Sequence, residues 1–301
     1  MGFQDREYAR PAPAAMPRVP VVTKWLLILN IGIFLLDLFQ RPEGMPGGVL
    51  SWGPLNRWGC FVFETSVMQG RIWEFLTFQF LHNDFGHLAF NSIGIFFFAP
   101  FVERWWGARR FLAYYLLCGA AGGVFYSLLL MVGLLPNSDA GTPLVGASAG
   151  VFGLIFAVYR LAPAVQVRLL IPPITLTMRQ LALALAALAV LVIVGGLVFP
   201  SARIFWNSGG EAGHLGGALM GLLLMSFPGL LGKPTGFRGK VVRDARFVRR
   251  GGPPKLRPRT RVDLDQESEV DRILQKISEH GLDSVTDEER RTLEDASRRK
   301  Q

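Results

Sequence analysis

Residues 144–150 read LVGASAG, and their centre, Gly146-Ala147-Ser148-Ala149-Gly150, is a G-x-S-x-G. In soluble hydrolases this pattern puts a nucleophilic serine on a strained turn between a strand and a helix. Nothing in the flanking residues predicts a strand here: apolar stretches lie on both sides. In a chain with 34 glycines the pattern alone is weak. Its meaning depends on what the rest of the chain brings to the same place.

The surroundings read as membrane-embedded. Half of the 301 residues are hydrophobic, 18% are charged and the mean hydropathy is +0.31. Those values predict an all-α membrane protein rather than a soluble enzyme. A spanning helix needs about 20 mostly apolar residues. The candidates are 22–39, 86–105, 110–135, a shorter one from the serine motif to Pro163, 180–199 and 212–231, six in all. Residues 40–70, rich in Gly, Pro and Trp, predict a long loop. The polar, proline-rich N-terminus lacks the apolar run of a signal peptide, and Asp5 and Glu7 argue against a transit peptide. Two distant cysteines, Cys60 and Cys118, give neither a metal-site spacing nor a disulfide framework.

Loop charges set the orientation. The 104–110 connection holds Arg104, Arg109 and Arg110, and the 160–179 connection holds Arg160, Arg168 and Arg179. The 136–147 connection has no Lys or Arg, and 200–211 has only Arg203. Both termini are therefore expected in the cytoplasm, with a multi-pass chain in a plasma or bacterial inner membrane. The expected divisions are an N-terminal segment 1–21, a membrane domain 22–231, a basic linker 232–267 and a small helical tail 268–301. Residues 233–261 hold eleven Lys or Arg against Asp244 alone. Beside a membrane such a segment predicts contact with anionic lipid, not nucleic acid. In the tail, Val270, Ile273, Leu274 and Ile277 recur at helical spacing, Gly281 would stop that helix, and Thr286 with Glu289 forms a capping-box pattern.

Three of the four histidines, His82, His87 and His214, fall in or beside the apolar spans. Ionisable groups at membrane depth are costly and mark function by default. On the derived topology Ser148, His214, and the pair His87 and Asn91 all sit at the outer starts of three separate spans. Ser148 to Arg160 covers about 18 Å of helix. A hydrocarbon core is about 30 Å thick, which leaves Ser148 on the order of 10 Å below the outer surface. Gly213, Gly217 and Gly221 recur every four residues on the sixth span, a face for close helix contact, and Gly146, Gly150 and Gly153 crowd the fourth. Such packing would let a His214 ring nitrogen reach Ser148 Oγ, the geometry of a serine nucleophile and its base. His87 and Asn91, four apart on one face, are candidate donors to an oxyanion, as is the Ser148 backbone N–H. His82, five residues earlier on the loop side, reads as structural or gating rather than catalytic. No acid is well placed for a third member: Asp84, Asp139 and Glu211 fall in or at the edges of outer segments. The expectation is a Ser–His dyad.

Together, FLHNDFGHLAFN (80–91), ERWWGARRF (103–111), GASAG (146–150) and GHLGGALMG (213–221) resemble the rhomboid intramembrane serine proteases over about residues 22–231. The resemblance implies a six-helix core with Ser148 as nucleophile, His214 as base, and His87 and Asn91 as oxyanion donors. It implies cleavage of single-pass membrane proteins in or near their transmembrane helices, with no metal or cofactor. The chain departs from the family pattern at Trp73-Glu74, where Trp-Arg is usual, at Gly213, where Ala is usual, and at Phe152, where some members have Tyr beneath the histidine. A catalytically inactive rhomboid-like binding factor is the alternative; such members usually lack the serine or the histidine, and both are here. A transporter would show an internal repeat or paired broken helices, and neither occurs.

Overall fold

A computed structural model describes residues 19–41, 53–169, 173–232, 269–270, 272–273, 275–277, 279–281 and 284–299. The expected N-terminal segment and basic linker lie almost wholly outside the described residues. The rest forms two compact units, one within 1–249 and one within 250–301.

In the first unit each apolar stretch is helical: α1 (Val21–Phe39), α4 (Phe85–Trp106), α5 (Ala108–Met131), α6 (Ser148–Leu161), α7 (Met178–Val198) and α8 (Ser208–Ser226). Four of them, α1, α4, α5 and α7, are long and apolar enough to cross a membrane. The other two are the helices that carry the candidate dyad. α6 is apolar but has 14 residues. α8 starts four residues before the expected span and ends at Ser226, followed by a 3-10 turn at Pro228–Leu231. Its polar first turn, Ser208-Gly209-Gly210-Glu211, is what the apolar pattern alone could not assign to a helix.

Elsewhere helix boundaries follow local chemistry. Asp84 caps α4 by accepting from the His87 backbone N–H at 2.9 Å. Gly107, at φ 75°, divides α4 from α5. Thr177 and Gln180 form a capping box at the start of α7. α1 has no cap of its own. Instead the buried Glu103 carboxylate, from the end of α4, accepts from the backbone N–H of Val22 and Thr23 and from Thr23 Oγ1 at 2.7–2.9 Å.

The described part of 40–70 is not a loop. It folds as α2 (Pro54–Gly59), β1 (Phe61–Val62) and a π-helical turn at Glu64–Met68, followed by α3 (Glu74–Thr77). Two buried acids order it. Asp37 accepts from the backbone N–H of Asn56 at 2.9 Å and of Gly53 at 3.2 Å. Glu74 accepts from Thr65 Oγ1 and Ser66 Oγ and lies 3.7 Å from Arg71. The acid at position 74 is thus an internal fastener of this segment. A hairpin, β3 (Gln166–Arg168) with β4 (Thr175–Thr177), joins α6 to α7.

α6 is the most enclosed helix, packed against α4, α5, α7 and α8. Leu154 and Ala157 are fully buried in the main core, with Ile95, Tyr114, Tyr115 and Cys118 around them. Glycines bring the backbones together. A Cβ on Gly217 of α8 would collide with the Ala149 carbonyl of α6, and one on Gly221 would sit 2.8 Å from the Gly153 oxygen. Gly213 does not join that face; it lies against Leu144 and the backbone of Gly122 in α5.

In the second unit, described residues of 269–280 and the stretch Asp287–Arg299 are helical. Gly281 at φ 81° separates them. Glu289 accepts from the Thr286 backbone N–H and from Arg272 and Lys276, all within 3.1 Å. The Leu274 side chain lies outside the described residues.

Candidate active site

Ser148 opens α6, and what precedes it is a short strand after all. β2 (Pro143–Leu144) pairs antiparallel with β1, Phe61 opposite Leu144. The Gly146 N–H then donates to the Phe78 carbonyl at 2.9 Å, and Gly146 takes φ 127°. A two-residue strand, a left-handed glycine and a helix start therefore surround the serine. The strand is too short for its sequence to alternate visibly, and its partner is more than 80 residues away.

Gly146 has a second constraint. A Cβ there would stand 2.6 Å from His87 Nε2 and 3.6 Å from Asn91 Nδ2. So the α4 pair lies directly against the backbone two residues before Ser148. The Asn91 amide nitrogen is buried with no hydrogen-bond partner among the described residues. A buried, unsatisfied donor is costly unless something else comes to it. The His82 ring packs edge-on against His87 with centroids 5.1 Å apart. Burial, with the nearby His87, pushes the His82 ring down to about 3.

His214 Nε2 lies 2.8 Å from Ser148 Oγ. The Phe152 ring, one turn along α6, stacks on the imidazole at 4.3 Å between centroids and 13° between planes. The other ring nitrogen is also occupied. His214 Nδ1 lies 2.9 Å from Glu211 Oε2, correcting the expectation that no acid is well placed. Because α8 begins at Ser208, Glu211 and His214 are three apart on one helix face. That i, i+3 spacing was the available signal, hidden by drawing the helix from its apolar onset. Asn207 Nδ2 approaches the second Glu211 oxygen at 3.5 Å.

Gly150 is set against the Tyr115 ring, and Tyr114 donates to the Gly153 carbonyl at 2.7 Å, which fixes α6 against α5. His280 belongs to the second unit.

Residues 69–228, just over half of the chain, match the family model of the rhomboid domain, and the chain belongs to the rhomboid family. It is an integral membrane protein with apolar transmembrane helices. Residues 264–299 match a family of unknown function, DUF6576. The chain is 26% identical to the rhomboid protease AarA of Providencia stuartii over 215 residues, which cover 67% of this chain and 70% of that one. It is 38% identical to YdcA of Bacillus subtilis over 97 residues (32% of this chain, 44% of that one). It is 32% identical to the rhomboid protease GluP of the same organism over 96 residues (32% and 17%). The aligned stretches thus span under half of the two Bacillus proteins.

Proposed function

We propose that this chain is an intramembrane serine endopeptidase. It hydrolyses peptide bonds of single-pass membrane proteins in or near their transmembrane helices. The observation that carries the reading is the 2.8 Å contact between Ser148 Oγ and His214 Nε2 across two helices.

The chemistry follows from the donors and acceptors present. Ser148 Oγ attacks the scissile carbonyl carbon while His214 Nε2 takes its proton. The carbonyl oxygen becomes an oxyanion. His87, the unpartnered Asn91 amide and the Ser148 backbone N–H supply donors on that side. As the tetrahedral intermediate collapses, the C–N bond breaks and His214 returns the proton to the leaving amine. Water, deprotonated by His214, then attacks the acyl ester, and Ser148 recovers its proton.

In this reading α1, α4, α5, α6, α7 and α8 all cross the bilayer, both termini are cytoplasmic and the site opens toward the outer face. The short α6 sets Ser148 below the surface, within a protein-walled site reached by water. A substrate helix must unwind before its carbonyl can be attacked, so helix-weakening residues and small side chains near the cut are favoured. The basic 233–261 segment lies on anionic lipid of the cytoplasmic leaflet.

The test uses purified protein in lipid with a fluorophosphonate or isocoumarin probe, and a transmembrane peptide as substrate. Label on Ser148 together with peptide cleavage, both lost in Ser148→Ala and His214→Ala, supports the reading. Folded protein that neither labels nor cleaves overturns it.

A further inference from the structure

We infer that Glu211 is a positioning residue that fixes the tautomer and orientation of His214, making the site a Ser–His–Glu relay rather than a bare dyad. This rests on the serine protease reading above and adds a third group to it.

The argument starts from what a carboxylate can do. Ionised, it only accepts hydrogen bonds. Glu211 Oε2 stands 2.9 Å from His214 Nδ1, so Nδ1 must carry the proton. A neutral imidazole has one N–H, which leaves Nε2 bare. Nε2 is the nitrogen 2.8 Å from Ser148 Oγ, so the hydroxyl donates and the ring accepts. That is the arrangement a base requires. The opposite tautomer would aim a proton at the serine and disable attack.

Three further observations hold the carboxylate in place. Glu211 sits in the first turn of α8, where the helix dipole favours negative charge. Its other oxygen is approached by the Asn207 amide. It is only partly exposed, with 15% of its side chain open against 18% for His214. Phe152 meanwhile stacks on the ring from α6 and fixes its plane, so the half-turn flip about the Cβ–Cγ bond, which exchanges Nδ1 with Cδ2, is what remains for Glu211 to set. The same carboxylate faces the imidazolium that forms when Ser148 loses its proton. The titratable groups facing the ring are Glu211 on its own helix, Ser148 on α6 and His87 on α4.

The test compares wild type with Glu211→Gln in lipid, reading kcat and KM separately. A glutamine keeps the shape but can offer its NH2 to Nδ1 and so stabilise the wrong tautomer. The expected result is a kcat lower by about 10–100-fold with KM within about twofold. A second measurement reads the wild-type ring itself. The chain has four histidines, so 15N-histidine labelling at pH 8, assigned through His214→Ala, reports the His214 tautomer directly. Nδ1–H is expected in wild type and a mixture in Glu211→Gln. Wild-type kcat in Glu211→Gln, or a wild-type ring in the Nε2–H form, overturns the inference. Loss of the protease reading itself appears elsewhere, as cleavage that survives Ser148→Ala.

Discussion

The Gly217 Cα of α8 lies against the carbonyl oxygen of Ala149 in α6, with no space for a Cβ between them. Ala149 follows Ser148, and Gly217 is three residues from His214. This close approach of the two helices is thus one turn from the contact that defines the site. Gly217→Ala should push the helices apart. Overpacking of this kind costs about 1–3 kcal/mol, so the melting temperature in detergent should fall and cleavage should fall with it. Gly32→Ala in α1 is the control. Nothing lies within 4 Å of the added carbon, and melting and cleavage should be unchanged.

Ser148→Ala should abolish cleavage while leaving the melting temperature as it was, since the hydroxyl touches only His214 among the described residues. His87→Ala and Asn91→Ala should each lower kcat by about 10²-fold or more, the usual loss for one oxyanion donor. Normal turnover in all three variants would remove the proposed mechanism.

Phe152→Leu keeps an apolar side chain but loses the ring stacked on His214. A stacked aromatic pair contributes about 0.5–1.5 kcal/mol beyond its burial. The variant should fold, and its kcat should drop about tenfold by the same free-energy scale. Steady-state kinetics with KM held separate will show whether the ring positions the base or only fills space.

The C-terminal unit carries its own pH dependence. The Thr286 backbone N–H, Lys276 and Arg272 hold the Glu289 carboxyl down to about 2. Its folded value is depressed, so its contribution is complete above the ordinary value of 4.5 and is lost as pH falls through about 2. Hydrogen exchange in the full chain, corrected for intrinsic rates, should show protection at 287–299 weakening across that window. Glu289→Gln should be less protected at neutral pH and lose the dependence.

Much of this was legible in the sequence because polar residues stand out in apolar runs. Ser148 and His214 lie near the starts of two apolar, small-residue stretches, and close packing of such helices predicts their meeting. Thr286 with Glu289 is a local signal that needs no distant partner. Three features were not legible. The Phe61–Leu144 pairing joins two-residue strands far apart in the chain, and no periodicity marks so short an element. The order in 53–80 depends on Asp37 and Glu74 meeting backbone and hydroxyl groups, a tertiary event. Glu211 was missed because helix length was read from hydropathy, and α8 begins with its least apolar turn.

The Glu103 carboxylate that closes the start of α1 also limits where this protein can be cut. The region matching the family begins at residue 69, yet the acid that ends α4 inside that region has as its partners Val22 and Thr23, far upstream. A fragment trimmed to that boundary would leave the Glu103 carboxylate, buried in the whole chain, without the Val22 and Thr23 donors that hold it among the described residues. Removing the partners of a buried charge is strongly destabilising. The unit of folding is therefore larger than the stretch that matches the family model, and α1 belongs to it.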